Sequence, residues 1–259
     1  MGDVTVERLG RTTLVTLSRP EARNALTREV NRTLVATFRD AADDPEVRVV
    51  LLTGAGGHFC AGADLKKNLQ DDPDLLEKLD DALDEYHALI RAIFRCPKPT
   101  VAVLDGAAVG FGADLAFACD LRIASETAYV QERFVKIGLM PDGGGTFWLP
   151  RLVGTARAMQ MILLAEKVDA LQMKDLGLVL EVVPSIRLRE AALGLARSLE
   201  TGPPLAYAAI KRALYASWGS LEDALVRERE EQMKLLRSED AMEGIMAWMS
   251  KRDPVFRGK

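Results

Sequence analysis

The spacing of apolar residues changes several times along the chain, and each change marks an element. Residues 4–9 and 13–17 read as two strands joined by a turn at Gly10-Arg11. Thr27 is a good N-cap, and from there apolar residues recur at helical spacing to about residue 42. Residues 47–53 are an apolar run of the kind buried on both faces of a parallel sheet, followed by the glycine-rich stretch Gly54-Ala55-Gly56-Gly57. An acidic turn at 71–74 leads into an expected helix over 75–95, with Leu75, Leu76, Leu79, Leu83, Tyr86 and Ile90 on one face, stopped by Pro97 and Pro99. Residues 100–104 form a second buried run. A glycine turn at 106–112 opens a helix near Phe111, and short strands follow at 121–124 and 128–131.

Residues 47–64 and 100–114 repeat one sequence of events: buried strand, glycine turn, then Asp-Leu entering a helix. This predicts an α/β fold in which a strand–helix unit winds into a spiral. Beyond about residue 149 the pattern becomes helical, with candidate helices over 155–165, 171–177, 188–199, 205–217, 221–237 and 241–249, and Ser220 as an N-cap. Their wide apolar faces need a partner, which favours oligomerisation or packing back onto the spiral. The expected division is a spiral core over 1–195 and a helical oligomerisation region over 196–259.

Composition narrows the function. The chain has 259 residues, 48% of them hydrophobic, and a net charge of -4. That suffices for a sizeable core, and the absence of a long basic run argues against nucleic acid as the main partner. The cysteines, Cys60, Cys96 and Cys119, are far apart, and the histidines are His58 and His87, so no metal site or disulfide is expected. Residues 1–10 lack a basic segment leading into an apolar one, and no apolar run reaches the roughly 18 residues of a membrane span. A cytoplasmic enzyme without membrane attachment is expected.

Two segments carry the chemistry. In His58-Phe59-Cys60-Ala61-Gly62-Ala63-Asp64-Leu65, small residues let a ligand approach the backbone closely. The segment Leu104-Asp105-Gly106-Ala107-Ala108-Val109-Gly110-Phe111-Gly112-Ala113-Asp114-Leu115 has the same form. Either alone reads as a structural turn. Together, two helix entries aimed at one point make a two-donor oxyanion hole. Gly54-Ala55-Gly56-Gly57 does not complete G-x-G-x-x-G, which sets aside a nicotinamide dehydrogenase.

These segments resemble the crotonase (enoyl-CoA hydratase/isomerase) superfamily, together with Arg19-Pro20-x-x-Arg23-Asn24-Ala25-Leu26, Lys98-Pro99-Thr100-Val101, Cys119-Asp120-Leu121-Arg122-Ile123-Ala124, Gly138-Leu139-Met140-Pro141-Asp142-Gly143-Gly144-Gly145-Thr146 and the final Lys251-Arg252-x-Pro254-x-Phe256-x-Gly258-Lys259. The resemblance spans essentially the whole chain. It implies a crotonase-like ββα spiral core, a C-terminal helical trimerisation region and assembly as a homotrimer or homohexamer. It also implies an acyl-CoA thioester as substrate, with coenzyme A carried by that substrate and no other cofactor. It places the oxyanion-hole donors at the N–H groups of Ala63 and Phe111. CoA contacts are implied at Ala61, Gly62, Asp64 and Lys66, with Phe256 and Lys259 coming from a neighbouring subunit. For Lys66 and Lys259, an ordinary solvated lysine is the competing reading. For Asp64 it is a helix cap.

The same resemblance addresses the carboxylates. Hydratases of the superfamily use two glutamates. The first falls at Asp114 and the second at Phe134, whose ring cannot move a proton. Glu132 lies two residues away and reads as a surface residue. Asp142, followed by Gly143 and Gly144, is the available alternative. The stretch Phe134-x-Lys136-x-Gly138-Leu139-x-Pro141-Asp142 resembles the phenylacetate-pathway isomerases that form oxepin-CoA. The expectation is an enoyl-CoA isomerase with Asp142 and Asp114 as catalytic carboxylates. The alternatives are a hydratase that activates water with Asp114 and Asp142 or Glu132, or a non-catalytic acyl-CoA-binding protein.

Overall fold

The computed structural model describes residues 2–74, 79–216 and 221–259. The first half contains β1 (Val4–Leu9), β2 (Thr12–Leu17), α1 (Arg28–Asp43), β3 (Val49–Gly54), α2 (Leu65–Asp71), α3 (Leu79–Arg95), β4 (Thr100–Leu104), β5 (Ala107–Val109), α4 (Phe111–Ala118), β6 (Leu121–Ser125) and β7 (Tyr129–Gln131). The second half contains α5 (Gly145–Val153), α6 (Thr155–Leu163), β8 (Lys167–Asp169), α7 (Ala170–Asp175), β9 (Val182–Val183), α8 (Leu188–Glu200), α9 (Pro204–Ala216), α10 (Leu221–Leu235) and α11 (Glu239–Met249).

One sheet runs β1-β2-β3-β4-β6-β9 and a smaller one β5-β7-β8. β1 and β2 pair antiparallel about Gly10, as the pattern predicts, and each later neighbour in the large sheet pairs parallel. β3 shows why its residues are uniformly apolar. Val50 and Leu52 pack into the cluster that holds Leu34 and Phe38 of α1 and Leu89 of α3, while Val49 and Leu51 meet Leu188 and Ala192 of α8. A strand covered on both faces has no polar side to show. Thr27 caps α1 by accepting from the Val30 N–H at 3.2 Å, as expected.

Some elements differ from the expectation. α3 is described from Leu79, and the expected residues 75–78 and the Ser220 cap lie outside the described residues. α5 begins on Gly145 and contains Pro150, a composition that reads as loop until packing holds it. α8 continues through residue 196 to Glu200, across the expected domain boundary, and packs on the large sheet. Leu214, Val226, Met242, Trp248 and Met249 on α9 to α11, and Leu236 just past α10, are exposed. The tail returns to α11, where the Arg257 and Gly258 N–H groups donate to Asp240 at 2.6 and 2.8 Å.

Candidate active site

The two glycine-rich segments follow β3 and β4 and interlock by backbone contacts. The Cys60 N–H donates to Ala107 O and the Val109 N–H to Cys60 O, both at 2.9 Å. A Cβ added to Gly112 would sit 2.2 Å from Cys60 O, and one on Gly62 would sit 2.8 Å from Val109 O and 3.4 Å from the Phe111 nitrogen. Only glycine permits these approaches, and Gly62 also holds a φ of 92°. The entry to α4 therefore lies directly against residues 60–62.

Phe111 is the first residue of α4, so its N–H has no intrahelical acceptor. Ala63 differs from the expected helix-start donor, because α2 begins two residues later, capped by Asp64, whose side chain accepts from the Lys67 N–H. The Ala63 N–H is left over by a parallel bridge. Leu26 donates to Gly62 O and Asp64 donates to Leu26 O, both at 2.8 Å, which turns the Ala63 N–H away from that ladder. Among the described residues neither the Ala63 nor the Phe111 N–H has an acceptor.

The Arg19–Asn24 segment supports this loop. Asn24 is buried and donates to Ala55 O and His58 O at 2.8 and 2.6 Å. Arg19 donates to Ala25 O and pairs with Asp64 at 2.9 Å. Arg23 accepts from the Ala61 N–H. These contacts clamp the 55–64 loop, a role the motif alone did not reveal.

Three carboxyls gather around the start of α4 and the 142–145 loop. Asp114, in the first turn of α4, is fully buried, and its Oδ2 accepts from the Gly143 N–H at 2.9 Å. Burial, and next the opposing bond from Gly143 and the nearby charge of Asp142, leave its pKa pushed up to about 7. Asp142 is half-buried, with Oδ1 covered and without a donor. Burial raises its pKa, and His87 acts against that. His87 Nε2 also bonds Asp142 O at 2.9 Å, tying the 141–144 loop to α3. His87 is half-buried on α3, beside the buried Tyr86 and four residues after Leu83 of the apolar pattern, and that helical spacing was a usable signal.

Glu132 overturns the expectation of a surface residue. It is only 2% exposed, and neither side-chain oxygen has a donor. Along β7 Val130 is buried and Gln131 only half-buried, donating to Ala165 O at 2.8 Å, and Glu132, just past the strand, continues the alternation inward. Space for it exists because Gly145 has no side chain there. Burial, then the Asp114 and Asp142 carboxylates, raise its pKa well above the usual range. Phe134 lies in a 3-10 turn, Phe134–Ile137, with its ring edge 3.8 Å from where a Cβ on Gly110 would sit. Phe111 packs edge-on to Tyr86 with ring centroids 4.9 Å apart.

The remaining expected contacts are not assembled within one chain. Lys66 is exposed on α2. Phe256 packs near Gly244, its carbonyl accepts from Arg48, and Lys259 O accepts from the Asp240 N–H. Arg48 precedes β3, whereas Ala61 to Asp64 follow it, so the tail docks at the other end of that strand.

A family model described as enoyl-CoA hydratase/isomerase matches residues 10–259. A Rhodobacter capsulatus protein named "Probable enoyl-CoA hydratase" is 41% identical over 247 residues, covering 95% of this chain and 94% of that one. The Escherichia coli 1,2-epoxyphenylacetyl-CoA isomerase is 38% identical over 247 residues, with the same shares covered. The crystal structure of an enoyl-CoA hydratase from Bacillus anthracis superposes with a TM-score of 0.94 at 30% identity, covering 100% of both chains.

Proposed function

Because the chain belongs to the enoyl-CoA hydratase/isomerase family, we propose that it shifts a double bond in an enoyl-CoA, with Asp142 moving the proton. The fold is the crotonase-like α/β fold, and members of the family need no cofactor beyond the CoA of the substrate. The observation that carries the isomerase reading is the state of the carboxyls. Asp142 is half-buried on a glycine-flanked loop, whereas Asp114 and Glu132 lie underneath, closed to solvent.

In this reading the thioester oxygen accepts from the Ala63 and Phe111 N–H groups. Enolate charge collects on that oxygen, and each such donor contributes about 3 kcal/mol. Asp142 takes a proton from the α or γ carbon and returns it two bonds away, as base and then acid. A raised pKa suits both roles. Backbone at Ala61, Gly62 and Asp64 and the Lys66 side chain receive the CoA arm, while Phe256 and Lys259 cover it from a neighbouring subunit of a cytoplasmic trimer or hexamer.

Hydration of a 2-enoyl-CoA is the second reading, and the naming of the Rhodobacter relative favours it. It requires a water held between two carboxylates, Asp114 with Asp142 or Glu132, but Asp114 and Glu132 are both closed to solvent, which leaves Asp142 as the one half-buried member. Incubation with 2-enoyl-, 3-enoyl- and ring-containing CoA thioesters in heavy water separates the two by mass. Isomerisation with deuterium at carbon is expected. Gain of the mass of water with no double-bond shift would replace the isomerase reading by the hydratase one.

A further inference from the structure

We infer that Glu132 is a positioning residue: as a neutral acid it donates to the free oxygen of Asp114, and through the Asp114–Gly143 bond it fixes the loop that presents Asp142. This rests on the reading of Asp142 as the proton-transferring group. Asp114 Oδ2 is held by the Gly143 N–H at 2.9 Å, while Asp114 Oδ1 and both Glu132 oxygens have no donor. The point where a Cβ on Gly145 would sit lies 2.5 Å from Asp114 Oδ1 and 3.2 Å from Glu132 Oε1. Two covered carboxyls face one another across a single glycine, and a hydrogen bond between them exists only if one holds a proton.

The surroundings decide how many protons the pair carries. Asp114 comes from α4 and Asp142 from the loop before α5, and both act on Glu132 as negative charges. His87 of α3 acts on Asp142 instead. Arg157 of α6, packed on the same region, is paired with Glu166 at 2.7 Å. Arg133 and Lys136, beside Glu132 in sequence, are exposed. Among the described residues no cation lies against the pair, so two adjacent buried negative charges cannot both persist, and two protons would forgo a charge-assisted bond. One proton is shared, and the pair titrates as a unit. It resides on Glu132, because the Gly143 N–H favours the charged form of Asp114.

Glu132→Gln and Glu132→Leu test this against the parent, by kcat and KM for double-bond shift over a range of pH. Gln keeps an N–H donor for Asp114 Oδ1 but cannot titrate. Its kcat should stay near the parent value at neutral pH and lose the alkaline limb that marks departure of the shared proton. Leu offers no donor, so Asp114 should ionise only at higher pH, moving the acid limb upward. The loosened loop should lower kcat by about ten- to a hundredfold with little change in KM. Unchanged pH limbs in both variants would overturn the inference, as would equal inactivity of two folded variants.

Two measurements do not depend on turnover. The free parent should show a protonated-carboxyl infrared band at neutral pH, markedly weaker in Glu132→Gln. Hydrogen exchange of the segment carrying Gly143 should accelerate in Glu132→Leu alone. A parent lacking the band overturns the shared proton whatever the activity. Band and exchange as expected, without turnover of any enoyl-CoA, would uphold the pair and its hold on the loop and defeat the isomerase reading only.

Discussion

At the scale of single residues, Asp142 and Asp114 are the same side chain in two environments. Asp142 is reachable and tethered by His87 through its backbone, whereas Asp114 is enclosed by Gly143 and Gly145. Asparagine preserves size and most hydrogen bonding but accepts no substrate proton. Asp142→Asn should therefore lower turnover by about 10²–10⁴. Asp114→Asn should cost far less, and both should keep CoA-ester binding. Steady-state rates with thermal-shift binding check this, and near-parental rates for Asp142→Asn would defeat the assignment. The buried acids also set a pH dependence of stability. Asp114 has a pKa of about 7 folded, against an ordinary value of about 4 in the unfolded chain. Glu132 is raised as well. Between these limits the folded state holds more protons than the unfolded one, so stability is lost as pH rises through the window. Glu132→Gln removes one of the two groups. Its melting temperature relative to the parent should climb across that window, and a difference independent of pH would contradict the raised pKa values.

At the scale of elements, the two glycine-rich segments function because their backbones interlock. Alanine is normally the better helix residue by about 1 kcal/mol. At Gly112 its Cβ would be forced to 2.2 Å from Cys60 O, whereas at Gly194 in α8 it would meet only the end of Arg197 at 3.8 Å. Gly112→Ala should lower denaturant stability and abolish stabilisation by CoA thioesters. Gly194→Ala should be neutral or slightly stabilising, and similar behaviour of the two would undo the interlock. The same elements indicate what the chain made legible. β3 and α1 were readable because burial on two faces, or on one helical stripe, imposes a residue pattern. The loop motifs were readable because close backbone approach demands small residues. α5 was not, since Gly144 at its cap and Gly145 at its start make room for Trp148 and Asp114 rather than serving helix propensity. β8 and β9 were too short to carry a period. The Asp114–Glu132 pair could not be read from spacing, because it forms only when α4, β7 and the start of α5 converge on Gly145.

At the scale of the whole molecule, the unsolved surface lies on the C-terminal helices. Trp248 is 81% exposed, and Leu214 of α9, Val226 of α10, Leu236 just past α10, and Met242 and Met249 of α11 are open. Single exposed apolar residues are ordinary, but several large ones on consecutive helices are the pattern expected of a surface that association covers. The tail supplies the second reason. Asp240, itself buried, receives two backbone N–H groups from Arg257 and Gly258, which holds Phe256 and Lys259 away from the Ala61–Asp64 loop of their own chain. If these residues contact CoA, they serve a neighbour, and closed rotational symmetry lets every subunit give and receive the same contact. Sedimentation at micromolar concentration should therefore find a trimer or hexamer. Acyl-CoA thioesters should raise its thermal stability, whereas the corresponding free acids should not, because they lack the adenine and phosphate groups that such a shared site would hold. A stable monomer that binds thioester with undiminished affinity would show that the exposed helices do not assemble and that the tail has no part in the site.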